Sequence, residues 1–345
     1  MVRETTLVEN ADRQIALWLF VVAGFVLMMV LVGGLTRLTD SGLSITEWEP
    51  IRGAIPPLSK AAWMVAFEKY KQIPEYTLIN AGMSLAEFKV IYWWEWAHRF
   101  LGRIVGFVFL IPFLVFLWQG KIKRGRLSPL LLLFALGGLQ GFMGWYMVSS
   151  GLSERVDVSQ YRLAMHLGLA LIIFAASLWL GLSYWRGVSG SYISSARVAA
   201  GGTIVGLVFT QSLLGALVAG IDAGTTYTDW PFMDGDLIPS GLLALDPAIS
   251  NFFENHLTVQ FDHRMLAYLL TLLVFWHVRN ILREENTQAV RQTAKLLGLS
   301  IVFQVVLGIA ALMLVVPMGL AAAHQIGAVV VLGLGVAHVH FLRFN

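Results

Sequence analysis

The sequence predicts an all-α integral membrane protein with eight transmembrane helices. We expect these helices to form two pseudo-symmetric four-helix bundles, with both termini in the cytoplasm. Three observations support this prediction: an apolar composition, eight separate apolar segments of membrane-spanning length, and short motifs that recur in the same order in the two halves of the chain.

The composition indicates that lipid covers most of the protein surface. Of the 345 residues, 57% are hydrophobic and only 13% are charged, and the mean hydropathy is +0.71. Soluble domains usually have about 45–50% apolar and about 25% charged residues, so we expect the lipid bilayer as a partner and no nucleic acid. The chain has no cysteine, which excludes disulfides, thiolate metal sites, iron–sulfur clusters and covalent haem attachment through cysteine.

The spans follow from the lengths of the apolar segments. About 20 apolar residues are needed to cross a hydrocarbon layer of ~30 Å. We place the eight spans near 14–35, 91–118, 127–149, 161–185, 198–220, 257–280, 295–316 and 319–341.

The basic residues that flank the spans predict the orientation. The following residues of the short connections and the chain ends fall on one side, which the positive-inside bias makes cytoplasmic. They are Arg3, Arg13, Lys121, Lys123, Arg124, Arg126, Arg186, Arg197, Arg279, Arg283, Arg291, Lys295 and Arg343. The long loops at 36–90 and 221–256 then face outward. We expect both loops to form short helices over the outer face, including an amphipathic segment around Lys60 to Lys71.

Recurring motifs indicate a duplicated four-helix unit. The matches are His98–Arg99 with His263–Arg264, Gln140-xxx-Gly144 with Gln304-xxx-Gly308, His166 with His324, and TDSGLSITEWEP with DAGTTYTDWPF. Because each half has an even number of spans, the halves should be related by an axis along the membrane normal. The predicted halves are residues 1–185 and 198–345, joined by a cytoplasmic linker at 186–197.

Four histidines form the candidate site. The ionisable residues inside the predicted spans all fall in the even-numbered spans, where such groups are costly and usually functional. His98, His166, His263 and His324 lie at similar depths below the outer surface. Two imidazoles from facing helices are the usual donors of a bis-histidine haem. The duplication favours one site per half, His98 with His166 and His263 with His324.

Other interpretations of these residues remain open. A single buried histidine often forms a hydrogen bond between helices. Zinc or copper would require the four ligands to converge on one point, which the repeat does not favour. Arg99 and Arg264 follow two of the histidines and are suited to haem propionates, although either arginine could extend to the interface instead.

The two halves differ at one position. Glu95 precedes His98 by one helical turn, whereas Gln260 occupies the matching position before His263. A carboxyl can move protons or stabilise developing positive charge, and an amide cannot. We therefore hypothesise that the first half performs chemistry and the second stores or passes electrons. The alternative is that Glu95 only anchors His98 or an arginine.

The motifs GGLTRLTDSGLSITEW, EWAHR, DAGTTYTDWPFMDG and FDHR, with the lone histidines of the fourth and eighth spans, resemble the haem A synthase family in its proteobacterial and mitochondrial branch. The resemblance covers essentially the whole chain. It implies successive hydroxylation of a methyl group of haem O to the formyl group of haem A, for use in cytochrome oxidase. Many relatives carry a cysteine pair in the first outward loop. This chain has none, so a thiol-based reductant step cannot operate here.

The resemblance also implies residue roles. Glu95, His98 and His166 would be catalytic, with His98 and His166 on the iron of the substrate haem O. His263 and His324 would bind the iron of a resident haem b, with Arg264 and Arg99 as further haem-binding residues.

The same resemblance implies a location and partners. We expect a multi-pass protein of the bacterial inner membrane, with its haem sites in the periplasmic half. Pathway logic suggests haem O synthase and cytochrome oxidase assembly factors as partners, and a homo-oligomer is open. Two other functions compete: a di-haem b electron-transfer subunit and a haem carrier for oxidase assembly. An electron-transfer subunit would have no need of Glu95.

Overall fold

The computed structural model describes residues 2–153, 155–187, 196–284 and 287–344, with the backbone alone for 2–9. Within these ranges the regular structure is helical, apart from one isolated bridge between Met233 and Asp236. Residues 188–195 of the predicted linker lie outside the described residues. Eight helices are long and apolar enough to cross a membrane: Asn10–Leu38, Leu85–Trp118, Arg124–Val148, Gln160–Trp185, Ala196–Gly220, His256–Arg283, Gln288–Met313 and Met318–Arg343. The all-α class and the eight predicted spans are confirmed.

The second span begins at Leu85, earlier than the predicted start near 91. Ser84 and Glu87 form a capping box: the Ser84 hydroxyl accepts from the Glu87 amide at 3.3 Å, and the Glu87 carboxylate accepts from the Ser84 amide at 2.7 Å. This Ser-x-x-Glu signal is readable in a sequence. The apolar segment begins later than the helix, and hydropathy alone therefore missed the first turns.

The first long loop covers the start of the second span. The predicted amphipathic segment forms the helix Lys60–Tyr70, and the short helix Pro74–Leu78 follows it. The rings of Trp63, Phe67 and Tyr70 pack against Phe88 of the second span. Burying aromatic rings on both sides stabilises this contact, so the loop is a folded cap, as expected.

The second long loop contains less helix. Its short helical turns are Ala223–Thr225, Ala248–Ser250 and Asn251–Glu254. Asn251 is buried, and its side chain exchanges hydrogen bonds of 2.9 Å with the backbone of Leu245 in both directions. These contacts satisfy backbone groups that no helix satisfies.

The first, fourth, fifth and eighth spans form the centre of the bundle. Within each half the same pairs of helices pack together: first with second, first with fourth, and third with fourth, and the corresponding pairs of the fifth to eighth spans. The halves meet where the fourth span packs on the fifth and the first packs on the eighth. This pairing supports the duplication. The symmetry of the halves and the side on which the termini lie stay predictions.

An ion-pair cluster places three of the four connections from odd to even spans at one end of the bundle. Arg37, at the end of the first span, lies 2.9 Å from Asp222, 3.1 Å from Asp40 and 3.9 Å from Asp157. These carboxylates belong to the connections after the fifth, first and third spans. The cluster therefore joins both halves at the end that carries the long loops.

A buried carboxyl in the first loop gives a pH prediction. Glu75 is 5% exposed, and its Oε2 has no hydrogen-bond partner. Burial, followed by the negative charge of Glu95, raises the pKa of Glu75 from 4.5 to about 8. The neutral carboxyl is therefore the form that the fold favours. The stability that it contributes is complete below pH 4.5 and is lost as the pH rises to about 8.

We expect Glu75→Gln to remove most of the fall in thermal stability between pH 5 and pH 9. Each pKa unit corresponds to about 1.4 kcal/mol, so the difference from the unmodified protein should be easy to measure by unfolding in detergent. Glu68→Gln is the matched control, since Glu68 is exposed in the same loop. An undiminished pH dependence in Glu75→Gln would show that another group causes it.

Candidate functional site

Each of the four candidate histidines lies against a glycine of the preceding odd-numbered span. The pairs, with the distance from the nearest ring atom to the position that a Cβ on the glycine would occupy, are His98–Gly33 (3.0 Å), His166–Gly144 (3.2 Å), His263–Gly215 (3.2 Å) and His324–Gly308 (2.8 Å). These separations leave little or no room for a side chain. Glycine allows the imidazole to approach the neighbouring helix backbone closely.

A glutamine one turn before the glycine holds three of these histidines. Its side-chain amide donates to the backbone carbonyl of the histidine and also lies close to Nδ1 of the ring. The contacts to the carbonyl and to Nδ1 are Gln140–His166 (3.1 and 3.3 Å), Gln211–His263 (2.9 and 3.0 Å) and Gln304–His324 (2.8 and 3.1 Å). Gln140 and Gln304 belong to the repeat that the sequence predicts. Gln211 has the same Gln-xxx-Gly spacing but was not recognised from the sequence.

The geometry of the second-half pair fits a bis-histidine haem. The ring centroids of His263 and His324 are 6.4 Å apart. An imidazole nitrogen lies about 2 Å from a first-row metal, so two imidazoles on opposite sides of an iron have centroids roughly 6 Å apart.

Unpaired acceptors beside the rings support the same fit. The Oε1 atoms of Gln140, Gln211 and Gln304 are buried and have no hydrogen-bond partner. When Nε2 of a histidine binds a metal, its Nδ1–H needs an acceptor, and this contact fixes the orientation of the ring. Each of these three amides keeps an unused acceptor next to such a ring.

Glu95 connects the second span to the first loop. The side chain is 2% exposed. Its Oε1 accepts from Arg99 at 3.0 and 2.6 Å, and its Oε2 accepts from the Ser44 hydroxyl and the Ile45 amide, both at 2.7 Å. Glu95 therefore anchors an arginine, as the alternative interpretation held. A catalytic role for the same carboxylate stays a prediction.

Arg99 and Arg264 bind the long loops. Arg99 donates to the carbonyl oxygens of Glu47 at 2.9 Å and Ile45 at 2.7 Å. Arg264 does the same in the second loop, where it donates to the carbonyl oxygens of Tyr227, Asp229 and Phe232. Neither side chain merely extends to the interface. Their proposed contacts with propionates stay a prediction, and the Nε of Arg264 is buried without a partner.

Gln260 takes the place of Glu95 in the second half in structure as well as in sequence. It is buried, and its amide donates to the Tyr227 carbonyl at 2.9 Å. The Tyr227 carbonyl also accepts a hydrogen bond from Arg264. Gln260 and Arg264 therefore bind the same loop, as Glu95 and Arg99 do in the first half. The main difference between the two arrangements is the negative charge of Glu95.

Three histidines at the other end of the bundle are buried: His277, His338 and His340. His277 Nε2 and His338 Nε2 are 3.0 Å apart, and Thr293 Oγ1 lies 2.8 Å from His338 Nδ1. Helix ends that pack together have removed these rings from the surface.

The glycine contacts predict that Gly308→Ala displaces His324. The new Cβ would lie 2.8 Å from the ring, and the contact with Gln304 limits how far the ring can move away. We expect haem in the second half to bind about tenfold or more weakly, measured by haem content after purification. Gly298→Ala in the same span is the control, since its Cβ would meet Val278 at an ordinary 3.5 Å. Equal haem content in the two variants would refute this packing argument.

Comparison with known proteins identifies the family of the chain. The COX15-CtaA family model, described as cytochrome oxidase assembly protein, matches residues 16–336. A haem A synthase of Parvibaculum lavamentivorans is 52% identical over 338 residues, which cover 97% of each chain. Haem A synthases of Bradyrhizobium sp. and Chelativorans sp. are 51% and 52% identical, over 95% and 94% of this chain and 91% and 90% of their own. The chain therefore belongs to the COX15-CtaA family of cytochrome oxidase assembly proteins.

Proposed function

We propose that this protein is a haem A synthase, an oxidoreductase that converts a methyl group of haem O to the formyl group of haem A. The proposal rests on four histidines that each pack against a glycine of a neighbouring span. They occur in a chain that is about half identical to proteins named haem A synthase. Haem O is the substrate and haem A the product, and the membrane surrounds the bundle.

The first half is the proposed substrate site. His98 and His166 hold the iron of haem O from the second and fourth spans. Glu95 lies one helical turn from His98, where its carboxylate accepts a proton released during hydroxylation or stabilises positive charge that develops on the substrate. The hydrogen bonds from Ser44 and the Ile45 amide hold the carboxylate in position.

The second half is the proposed site of a resident haem b. His263 and His324 would hold its iron, Gln211 and Gln304 donate to the backbone carbonyls of the two histidines, and their unpaired Oε1 atoms would accept from the imidazoles. Haem b supplies one-electron transfer when it is bound. Arg264 fixes the second loop above the site, and its unpaired Nε is available to a propionate.

The location and the partners follow from this activity. We propose that the protein lies in the bacterial inner membrane with both haem sites in the periplasmic half. Haem O synthase would supply the substrate, and cytochrome oxidase assembly factors would receive the product. A homo-oligomer is compatible with the exposed apolar helix surfaces.

Extraction of haem from cells that make haem O tests the proposal. We expect haem A only in cells that also produce this protein, and none in cells that produce its His166→Ala variant. An electron-transfer subunit or a haem carrier would leave the extracted haem unchanged. Absence of haem A from cells with verified membrane insertion of the protein would refute the proposed function.

A further inference from the structure

We propose that Met29 makes His98 the releasable ligand of the substrate haem, whereas glutamines hold the other three histidines in place. This inference rests on the proposed function, because it assigns entry and release of haem to the first half. It concerns a residue of the first span that lies next to the site and carries no charge.

Met29 occupies the position that glutamine occupies at the other three sites. Gln140, Gln211 and Gln304 each precede the glycine behind a histidine by one helical turn, and Met29 precedes Gly33 in the same way. The Cε of Met29 lies 3.6 Å from the position that a Cβ on Gly102 would occupy. Gly102 is one turn after His98, so Met29 packs against the helix that carries this histidine.

A thioether cannot replace the amide at this position. The side chain of methionine has no hydrogen-bond donor and only a weak acceptor. It therefore cannot bind the backbone carbonyl of His98 as the glutamines bind those of their histidines. Within the described part of the chain, the His98 ring forms no hydrogen bond that would fix its orientation.

The orientation of the His98 ring differs accordingly. The ring atom closest to the facing glycine is Nε2 in His98, whereas it is Cε1 in His166, His263 and His324. Loss of the hydrogen bond that orients a metal-bound histidine typically costs about 10–100-fold in metal affinity. His98 is therefore the weakest of the four candidate ligands.

This difference matches the different tasks of the two haems. A resident haem b is retained, and both of its ligands are held by glutamines. A substrate haem must enter and its product must leave, which requires both iron–histidine bonds to break, and a weakly held ligand makes the first of these breaks easier. His166, held by Gln140, keeps the haem in position while His98 binds and releases it.

Exchanging the two residue types tests this assignment. We would prepare Met29→Gln and, in the opposite sense, Gln211→Met in the full-length protein loaded with haem O in the first half. The readouts are the rate of haem transfer to apomyoglobin and carbon monoxide binding after reduction, which requires an open axial position. Neither readout depends on conversion to haem A.

We expect Met29→Gln to slow the loss of haem O about 10–100-fold and to reduce carbon monoxide binding. Gln211→Met should accelerate loss of haem b by a similar factor and make it reactive to carbon monoxide. Met28→Gln is the matched control, because Met28 is 44% exposed on the same helix, and it should leave both rates unchanged. In Met29→Leu both rates should also stay unchanged, because leucine cannot provide the amide either.

Unchanged transfer and carbon monoxide binding in Met29→Gln would overturn the inference. If Met29→Gln fails to fold, Gln211→Met still tests the inference. An unchanged rate of haem b transfer and no carbon monoxide binding in that variant would overturn the inference as well. Loss of haem O in Met29→Leu would also overturn it, because Met29 would then hold the haem itself. Failure of the proposed function would appear separately, as absence of haem A from cells that make haem O.

Discussion

Glu95→Gln abolishes conversion of haem O to haem A while the protein keeps its bound haem. The amide preserves the size of the side chain but can neither accept a proton nor balance positive charge. Removing a general acid–base group typically costs about 10²–10⁴-fold in rate. Haem content should stay the same, since His98, rather than Glu95, is the proposed ligand.

A substitution of Arg99 separates a catalytic role of Glu95 from a role in anchoring this arginine. Arg99 forms an ion pair with Glu95. It also donates hydrogen bonds to the carbonyl oxygens of Glu47 and Ile45 in the first loop. If Glu95 acts only by anchoring Arg99, then Arg99→Gln should reduce activity as much as Glu95→Gln does. We expect Arg99→Gln to retain measurable conversion in the same haem extraction assay. Full activity in Glu95→Gln, or equal losses in both variants, would refute the catalytic role.

The fold was predictable because lipid constrains a sequence strongly. A span needs a continuous apolar segment, and its backbone must satisfy its own hydrogen bonds, so the eight helices follow from hydropathy. The helix Lys60–Tyr70 followed from its amphipathic pattern. The early start of the second span at Leu85 had a local signal in Ser84 and Glu87, which hydropathy does not detect.

The site was only partly predictable, because side-chain partners depend on where the loops pass. The contact of Glu95 with Ser44 and the Ile45 amide joins residues about 50 positions apart, and no local pattern encodes it. The same is true of Arg264, whose carbonyl partners lie in an irregular loop. The role of Gln211 was different. Its spacing to Gly215 was visible in the sequence, but its meaning required the neighbouring His263.

His263→Ala should remove haem b from the second half and leave the helical fold intact. The iron would lose one of its two axial nitrogens, and the remaining His324 would have to hold it alone. We expect binding to weaken about 100-fold or more, since loss of an orienting contact alone costs about 10–100-fold. The measurement is the reduced-minus-oxidised spectrum of the purified protein, together with its haem content.

Two comparisons make this prediction specific to ligation. His256→Ala changes a histidine of the same span whose Nε2 lies 2.6 Å from the Ile221 carbonyl in the second loop, and it should keep haem b. Added imidazole should restore the haem spectrum of His263→Ala, because a small ligand can enter the space left by the ring, whereas it would not repair a folding defect. An unchanged spectrum in His263→Ala would show that another residue binds the iron, and the pairing of His263 with His324 would then have to be abandoned.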